Sequence, residues 1–297
     1  MAGHSLFLTP NHPFNKFNPM FNRFEHSVGV YLLLRKFNTS LEERIAGLLH
    51  DVSHTAFSHI ADFVYGRETK HDFHEKFYKK ILIESEIPEI LERHGIDVRS
   101  VMEVENFGIL EREIPDICAD RIDYFFRSMI NAIITKDWIK RVLMFLRAFN
   151  NRLVFTNVNA AREFAEKFME ANERFYCNAL QATVYHKIAE LIKLAMQKSM
   201  ITESDLFTTD YEVYRKLKSC KDHEILKMLR EIPRIRVVEN KSDYDLHVKS
   251  KVRYVDPFIL QGEELVRLSE ISIDYKLKLE DFKRKYSEGF YVKIITL

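Results

Sequence analysis

The sequence predicts a mainly α-helical protein with a small α+β region at its C-terminal end. Glycine (8) and proline (7) are scarce in the 297 residues, about 5% together against the roughly 12% of average proteins. Apolar residues recur at helical spacing over most of the first 230 positions. Beyond Pro233, β-branched residues alternate in short runs that are typical of strands. A chain of this length can bury a large core as one domain or two.

The first two helices are the most clearly indicated. A nearly continuous apolar pattern predicts a buried helix over residues 24–36. The pair Thr39-Ser40 can cap a second helix over residues 41–50, since either hydroxyl can accept a hydrogen bond from an N-terminal amide. The doublet His50-Asp51 is therefore predicted at the C-terminal end of this second helix.

The later elements follow from the same periodicities. Further helical patterns span residues 56–65, 71–86, 114–134, 137–149, 159–176, 178–199, 210–218 and 222–230. Strands are predicted over residues 234–239, 248–255 and 290–297. We predict four regions from this pattern: an N-terminal arm (1–22), a helical core (23–150), a helical extension that completes the core (151–232) and a small α+β region (233–297).

Composition excludes several classes of protein. A net charge of +1 provides no overall field that would attract nucleic acid or an anionic membrane. Cys118, Cys177 and Cys220 are widely spaced and include no CxxC pair, which argues against a disulfide framework or a thiolate zinc site and for a cytoplasmic protein. No apolar run approaches the roughly 20 residues that a membrane-spanning helix needs. Residues 1–19 lack the pattern of a secretory signal.

Histidine and aspartate cluster in three short segments. These are Arg23-Phe24-Glu25-His26, His50-Asp51-Val52-Ser53-His54 with the following Phe57-Ser58-His59, and Asp120-Arg121-Ile122-Asp123-Tyr124. Two imidazoles and two carboxylates from three helices can surround one divalent cation. Any one of these histidines alone would more often be a hydrogen-bonded structural residue. Taken together they favour a metal site, because a buried, unpaired Asp51 after an apolar run would cost several kcal/mol.

The pattern of His26, His50-Asp51 and Asp120 resembles that of the HD-domain metal-dependent phosphohydrolases. The longer strings over residues 23–30 and 50–59 are similar to those of the deoxynucleoside triphosphate triphosphohydrolase branch. Similar segments extend this resemblance towards the C-terminus, at residues 120–124, 185–187, 205–207 and 251–257. The resemblance implies an HD-domain helical bundle with further helices around it.

The resemblance also implies roles for individual residues. The implied ligands of one divalent metal ion (Mn, Fe, Ni, Zn or Mg) are His26, His50, Asp51 and Asp120. The implied catalytic set is His54 and His74 as candidate acids, since an acid that titrates near neutrality points to histidine, and Asp123, which would orient its surroundings. The implied substrate contacts are Arg23, His59, Arg121, Tyr124, His186 and Lys187.

Some of these residues have a simpler structural explanation. His71, a weaker candidate acid than His54 or His74, lies three residues before His74, and both could belong to a solvated helix. His186 and Lys187 could be polar positions of an amphipathic helix. The chain also departs from the deoxynucleotide-reading members, because it lacks their Gln-Leu and Gly-rich turn upstream of His26 and has Ser128 where they carry Asp. The groups that would read the base and the 3′-hydroxyl are therefore not defined.

The resemblance implies a phosphohydrolase that cleaves a phosphoester bond of a nucleotide with a metal-activated water. The implied substrate is a (deoxy)nucleoside triphosphate or a related phosphorylated nucleoside, and the implied assembly is a homo-oligomer, a dimer or larger. One alternative is a non-catalytic protein that binds nucleotides or single-stranded nucleic acid through Lys249, Lys251 and Arg253, although the balanced charge argues against a nucleic-acid partner. A purely structural helical protein is the other alternative.

Overall fold

A computed structural model describes residues 6–8 and 21–296, so most of the predicted arm over residues 1–22 lies outside the described residues. The described part of the chain contains thirteen α-helices. They are α1 (Arg23–Lys36), α2 (Leu41–Leu49), α3 (Ile60–Val64), α4 (Glu75–Ile83), α5 (Ile87–Arg93), α6 (Ala119–Met129), α7 (Lys136–Phe145), α8 (Val158–Ala171), α9 (Ala179–Gln197), α10 (Asp210–Ser219), α11 (His223–Glu231), α12 (Leu268–Ile271) and α13 (Ile273–Ser287). The mainly α class is confirmed.

Seven short strands form two sheets among the described residues. The strands are β1 (Leu146–Phe149), β2 (Arg152–Phe155), β3 (Ile235–Glu239), β4 (Leu246–Val248), β5 (Phe258–Gln261), β6 (Glu264–Arg267) and β7 (Phe290–Thr296). One sheet has the order β1-β2-β5-β6, and its only parallel pairing aligns Phe155 in β2 with Ile259 in β5. The other sheet has the order β3-β7-β4 and is antiparallel.

Local sequence accounts for where the first two helices begin. The Asn22 side chain accepts a hydrogen bond from the Glu25 amide at the start of α1. Ser40, one of the two predicted caps, accepts from the Glu43 amide at 3.1 Å and begins α2. Because α2 ends at Leu49, His50 and Asp51 lie just beyond its last turn, as predicted.

Several predicted elements differ from the structure in their bounds, and two of them differ in type. The predicted helix over residues 137–149 ends at Phe145, because Asn150 and Asn151 adopt positive φ angles of 47° and 54° and form a two-residue hairpin turn between β1 and β2. The predicted strand over residues 248–255 is also wrong, since β4 ends at Val248. The chain from residue 249 to 257 is irregular, and the Asp256 amide donates to the carbonyl of Pro115 instead of to a neighbouring strand.

The C-terminal region packs into the same core as the helices that precede it. Val255, Ile259, Tyr275 and Leu279 belong to the largest hydrophobic cluster, together with side chains of α1, α6, α7 and α8. This packing holds the irregular segment over residues 249–257 against the helical part. The four regions that we outlined from the sequence stay a prediction. Among the described helices, none is long and apolar enough to cross a membrane.

Candidate active site

Three elements bring the predicted metal ligands to one place. His26 lies in the first turn of α1, the pair His50-Asp51 follows α2, and Asp120 is the second residue of α6. Helix α1 packs against both α2 and α6. The four side chains therefore meet where these three elements converge.

The four side chains are close enough to share a cation. Asp120 Oδ1 lies 2.9 Å from His26 Nε2 and 3.5 Å from His50 Nε2. Asp51 lies 3.9 Å from His26 Nε2 through one oxygen and 3.8 Å from His50 Nε2 through the other. One ligand atom from each of His26, His50 and Asp51 lies within 4.8 Å of the other two. Two nitrogen and two oxygen donors in this arrangement suit a divalent cation.

The hydrogen bonding of His50 supports this interpretation. Its Nδ1 donates to the carbonyl of Gly47 at 2.8 Å, which leaves the lone pair of Nε2 directed towards the two aspartates. Nε2 is buried and has no hydrogen-bond partner among the described residues. A buried nitrogen without a partner is unfavourable unless another group fills the position. The residues present therefore fit a divalent metal ion.

A further carboxylate orients His26. The Nδ1 atom of His26 donates to Asp123 Oδ2 at 2.8 Å, and the same oxygen accepts from Arg127 Nε at 2.6 Å. The arrangement matches the carboxylate–histidine pairs that fix the tautomer of metal-binding imidazoles. Asp123 thus lies on the far side of His26 from Asp120, where it can hold the ring in place.

Neighbouring charged groups shift the pKa values of the proposed metal ligands strongly. Burial alone would lower the pKa of His26, but hydrogen bonds to Asp120 and Asp123 raise it to about 10. Burial opposes ionisation of Asp51, but the Arg23 guanidinium at 2.6 Å, with His50 and His26, lowers its pKa to about 2. Asp51 is therefore ionised at neutral pH and attracts a cation.

Four more histidines extend from this site along one wall. The rings of His54 and His74 are stacked with centroids 3.9 Å apart, and those of His59 and His71 are stacked at 4.1 Å. His54 and His59 join the two pairs at 5.1 Å. Burial lowers the pKa of all four rings, to about 4 for His59. We therefore expect this wall to be neutral imidazole at pH 7.

The two groups of histidines open into one large cavity of about 1180 Å³. Ten predicted site residues line it: Arg23, His26, His50, Asp51, His54, His59, His74, Asp120, Arg121 and Tyr124. A nucleotide is small enough for this volume, since ligand cavities commonly measure about 300–1000 Å³.

Arg121 and Tyr124 occupy different positions in the wall. The Arg121 guanidinium donates to the backbone carbonyls of Arg112 and Asp116, so much of its hydrogen-bonding capacity is used within the protein. The Tyr124 hydroxyl is buried without a hydrogen-bond partner among the described residues, and its ring contacts Tyr176. Tyr124 therefore has a free hydroxyl for a ligand, whereas Arg121 mainly shapes the wall.

The structure does not bring His186 and Lys187 into the described lining of the cavity. Both lie in α9 and pair with Glu190, His186 Nε2 at 3.3 Å and Lys187 Nζ at 2.8 Å. The preceding residue, Tyr185, lines the cavity instead. The placement gives no support to a substrate contact by His186 or Lys187.

Several residues of the cavity were not among the predicted site residues, and Lys251 and Arg253 were named only as part of the basic patch of the non-catalytic alternative. Lys251 and Arg253 reach it from the segment between β4 and β5, and Gln181 reaches it from the first turn of α9. Phe175 and Tyr176 reach it from a π-helical turn over Asn172–Tyr176, a kind of irregularity that is often found at functional sites. Residues 251–257 resemble a segment of the triphosphohydrolases, but this resemblance did not indicate that the segment lines the cavity.

Comparisons with known proteins agree with this geometry. The family model of the HD domain matches residues 23–128. YdhJ of Bacillus subtilis, an uncharacterized protein, is 36% identical over 276 residues, which cover 92% of this chain and 85% of YdhJ. The metal-dependent phosphohydrolase cns2 of Cordyceps militaris is 27% identical over 247 residues, 80% of this chain and 71% of cns2.

Two solved structures share the fold. A hypothetical protein from Aquifex aeolicus superposes with a TM-score of 0.62 at 20% identity, over 92% of this chain and 88% of that chain. A phosphohydrolase from Bacteroides thetaiotaomicron superposes with a TM-score of 0.60 at 14% identity, over 91% and 86%. With the HD match and the clustered His26, His50, Asp51 and Asp120, the chain belongs to the HD-domain phosphohydrolase superfamily.

Proposed function

We propose that the protein is a metal-dependent phosphohydrolase that cleaves a phosphoester bond of a nucleotide, a (deoxy)nucleoside triphosphate or a related phosphorylated nucleoside. The observation that carries the proposal is the buried Nε2 of His50, which has no hydrogen-bond partner among the described residues and faces Asp51 and Asp120. His26, His50, Asp51 and Asp120 would hold one divalent ion. When bound, such an ion acts as a Lewis acid on a phosphoryl oxygen and lowers the pKa of a water.

The protein's own side chains would position the phosphate. Arg23 donates to Asp51 through Nη1 at 2.6 Å and to Ser58 Oγ through Nη2 at 2.8 Å, which keeps its guanidinium beside the proposed metal ligands. Positive charge there stabilises the charge that develops on the phosphoryl oxygens. Arg23 is therefore the best-placed cation for the phosphate that is attacked.

His54 and His74 would supply hydrogen bonds and a proton to the leaving oxygen. Burial and nearby cations, including Arg23, hold the pKa of His54 well below its usual range in the free protein. An anionic phosphate that enters the cavity favours the charged form of a nearby imidazole and so raises its pKa. A histidine in this position can therefore take up a proton as the substrate binds and release it during cleavage.

Aromatic and polar side chains in the cavity lining support a nucleoside ligand. Phe175, Tyr176 and Tyr185 provide aromatic surface, and Tyr124 and Gln181 provide polar groups beside it. Aromatic rings with a few polar groups are what a base and a sugar require. The nucleic-acid alternative is less well supported, because Lys251 and Arg253 line the cavity and only Lys249 of that set is exposed.

The proposal is tested by removing the ligands. His50→Ala and Asp51→Ala should each lose the bound metal and at least about 100-fold in hydrolysis, because each supplies a ligand that no neighbour replaces. The measurements are metal content by mass spectrometry after dialysis against Mn²⁺, and phosphate or triphosphate release over a panel of nucleoside mono-, di- and triphosphates. His94→Ala, which changes an exposed histidine, is the matched control. Unchanged metal content and hydrolysis in both ligand variants would refute the proposal.

A homo-oligomer and a cytoplasmic location are proposed with the same function. The exposed apolar side chains of α1, Phe24 at 75% and Leu32 at 52% exposure, provide surface that a subunit contact could cover. Sedimentation at micromolar concentration should show a dimer or a larger species. A monomer alone would contradict the proposed assembly.

A further inference from the structure

Asn172 is a polar residue at a core position. The core-facing row of α8 consists of buried apolar side chains, at Ala161, Ala165 and Phe168, and Asn172 continues this row at helical spacing. The Asn172 side chain is fully buried. Its Nδ2 atom donates to the Phe168 carbonyl at 2.9 Å, whereas its Oδ1 atom has no hydrogen-bond partner among the described residues. An apolar side chain would suit this position better if packing alone determined the residue.

The helix changes its geometry at the same residue. Helix α8 ends at Ala171, and the π-helical turn over Asn172–Tyr176 follows it. In this turn the Cys177 amide donates to the Asn172 carbonyl, five residues earlier, at 2.7 Å. A side chain that bonds to the carbonyl four residues before it competes with the regular hydrogen bonds of an α-helix. The bond from Asn172 to Phe168 therefore explains why the chain leaves α-helical geometry at this point.

The turn determines where Tyr176 points. Tyr176 is the last residue of the turn and lines the cavity. Its hydroxyl is hydrogen-bonded to Ser128 Oγ, and its ring contacts that of Tyr124 with centroids 5.9 Å apart. Each residue of an α-helix advances by about 100° around the axis. Without the extra residue that the wider turn accommodates, Tyr176 would be rotated by about this angle, away from Ser128 and Tyr124.

The chain is held on both sides of Tyr176. Glu173 Oε1 accepts a hydrogen bond from the Tyr286 hydroxyl of α13 at 3.1 Å. After the turn, the Asn178 side chain accepts from the Gln181 amide at 2.9 Å and begins α9. These contacts fix the flanking parts of the chain, so we expect a change at the start of the turn to alter the direction of Tyr176 and not the helices around it.

We propose that Asn172 is a positioning residue, which keeps the chain in the π-helical turn so that Tyr176 forms the wall against which the nucleoside of the substrate packs. The inference rests on the proposed function and adds a determinant of substrate binding beyond residue 128, where the HD match ends. A buried amide with an unpaired oxygen breaks the rules of core packing, and proteins keep such exceptions at functional sites. The gain here is the direction of Tyr176.

Kinetics of two apolar variants test this role. Asn172→Leu and Asn172→Ala both remove the bond to the Phe168 carbonyl. Each should raise the KM for the nucleotide that the wild type hydrolyses fastest about 5- to 100-fold, the range expected when a base loses an aromatic contact, and should change kcat less than about threefold. Asn172→Ser retains a donor for the Phe168 carbonyl and should keep the KM within about threefold of the wild type. Unchanged KM values in both apolar variants would overturn the inference.

Two further measurements separate positioning from a general structural effect. Asn172→Leu should unfold at the same or a higher urea concentration than the wild type, because apolar atoms replace an unpaired buried oxygen. Since Asn172 acts through Tyr176, its effect on the KM should fall below about twofold when Tyr176→Ala is already present. Arg174→Gln, at an exposed position of the same turn, is the matched control and should leave the KM unchanged. Additive effects of Asn172→Leu and Tyr176→Ala would contradict the inference.

A crystal structure and a binding measurement distinguish this inference from the proposed function. The structure of Asn172→Leu should show Tyr176 turned away from Ser128. Calorimetry with ribo- and deoxyribonucleoside monophosphates needs no turnover, and Asn172→Leu should weaken their binding at least about fivefold but that of inorganic phosphate less than about twofold. These results in a protein that hydrolyses no nucleotide would support the inference and reject the proposed function. Nucleotide hydrolysis by the wild type, together with an unmoved Tyr176 in the variant, would reject the inference alone.

Discussion

The candidate site depends on a residue without a side chain at position 29, which is Gly29 in α1. A Cβ atom at this position of α1 would overlap the Asp123 carboxylate and the Arg127 guanidinium. Those are the two groups that hold His26 by its Nδ1 atom. Glycine therefore allows the carboxylate to pack against the helix that carries the histidine it orients.

We predict that Gly29→Ala weakens metal binding although it favours the helix. Alanine stabilises a helix interior by about 1 kcal/mol relative to glycine, but here it displaces Asp123 from His26. Loss of such a supporting carboxylate typically costs about 10- to 100-fold in metal affinity. Isothermal titration calorimetry with Mn²⁺ measures the metal affinity. Asp137→Asn, which changes an exposed carboxylate, is the control. Wild-type affinity in Gly29→Ala would show that Asp123 does not support the site.

We predict that His59 makes the folded protein less stable at acid pH. Burial lowers the pKa of His59 to about 4, with the hydrogen bond to Asp62 acting against this shift and Arg253 adding to it. Between about pH 6.5 and pH 4 the unfolded chain therefore binds a proton that the folded chain excludes, so the free energy of unfolding falls as the pH falls. His59 should account for about 1–2 kcal/mol of the loss at pH 5.

The measurement is urea unfolding at pH 5 and pH 7 in the presence of a chelator. His59→Asn keeps a donor for Asp62 but does not titrate, so its stability should depend less on pH than that of the wild type. His94→Asn, at an exposed position, should keep the wild-type dependence. Identical slopes for His59→Asn and the wild type would contradict the assignment.

Residues that are close in sequence or that share a motif were predictable, and residues that meet only through tertiary packing were not. His26, His50, Asp51 and Asp120 belong to a recognisable pattern, and the structure brings them together. Their roles as ligands stay a prediction until a metal is measured. Lys251 and Arg253 were visible only as part of a basic segment, because their neighbours His59 and His71 lie about 180 residues earlier in the chain.

At the scale of elements, the turn between α2 and α3 determines how the histidines face the cavity. The predicted helix over residues 56–65 begins only at Ile60, because Phe57 and Ser58 adopt positive φ angles of 58° and 55°. Asp210, at the start of α10, accepts a hydrogen bond from the Phe57 amide at 2.7 Å. A residue some 150 positions away thus holds the turn that carries His54 and His59.

Asp210 offers a matched pair of variants. Asp210→Ala leaves the Phe57 amide without its acceptor and should cost about 1–3 kcal/mol of stability. It should also raise the KM for the substrate, because His54 and His59 are no longer held in place. Asp210→Asn keeps an oxygen at the same position and should restore most of both properties. Chemical denaturation and steady-state kinetics provide the two readouts, and equal behaviour of the two variants would argue against the hydrogen bond.

The element predictions failed where local pattern and long-range pairing disagree. Residues 146–149 continue the apolar pattern of α7, so periodicity alone extends the helix. They form β1 because β2 is available beyond the Asn150-Asn151 turn, and β2 in turn pairs with β5 from the C-terminal region. A partner about 100 residues away cannot be found from a window of local sequence.

For the molecule as a whole, the central question is whether the C-terminal region folds with the helical core. Tyr275 in α13 is fully buried in the largest hydrophobic cluster, and its hydroxyl donates to the carbonyl of Val255. Trp138, the single tryptophan of the chain, lies in the same cluster in α7 and stacks near Phe164. The fluorescence of Trp138 therefore reports on the helical core when Tyr275 is changed.

We predict that Tyr275→Ala destabilises the entire core. Removing a large buried aromatic side chain costs about 3–5 kcal/mol, and the urea midpoint should shift equally by Trp138 fluorescence and by far-UV circular dichroism. Ile273→Ala, two residues earlier at a position that is 74% exposed, should change stability by less than about 0.5 kcal/mol. A Trp138 transition that stays in place while the circular dichroism signal splits into two steps would mean that the C-terminal region unfolds on its own. In a single cooperative unit, the segment that presents Lys251 and Arg253 is as stable as the helices that present His26 and His50.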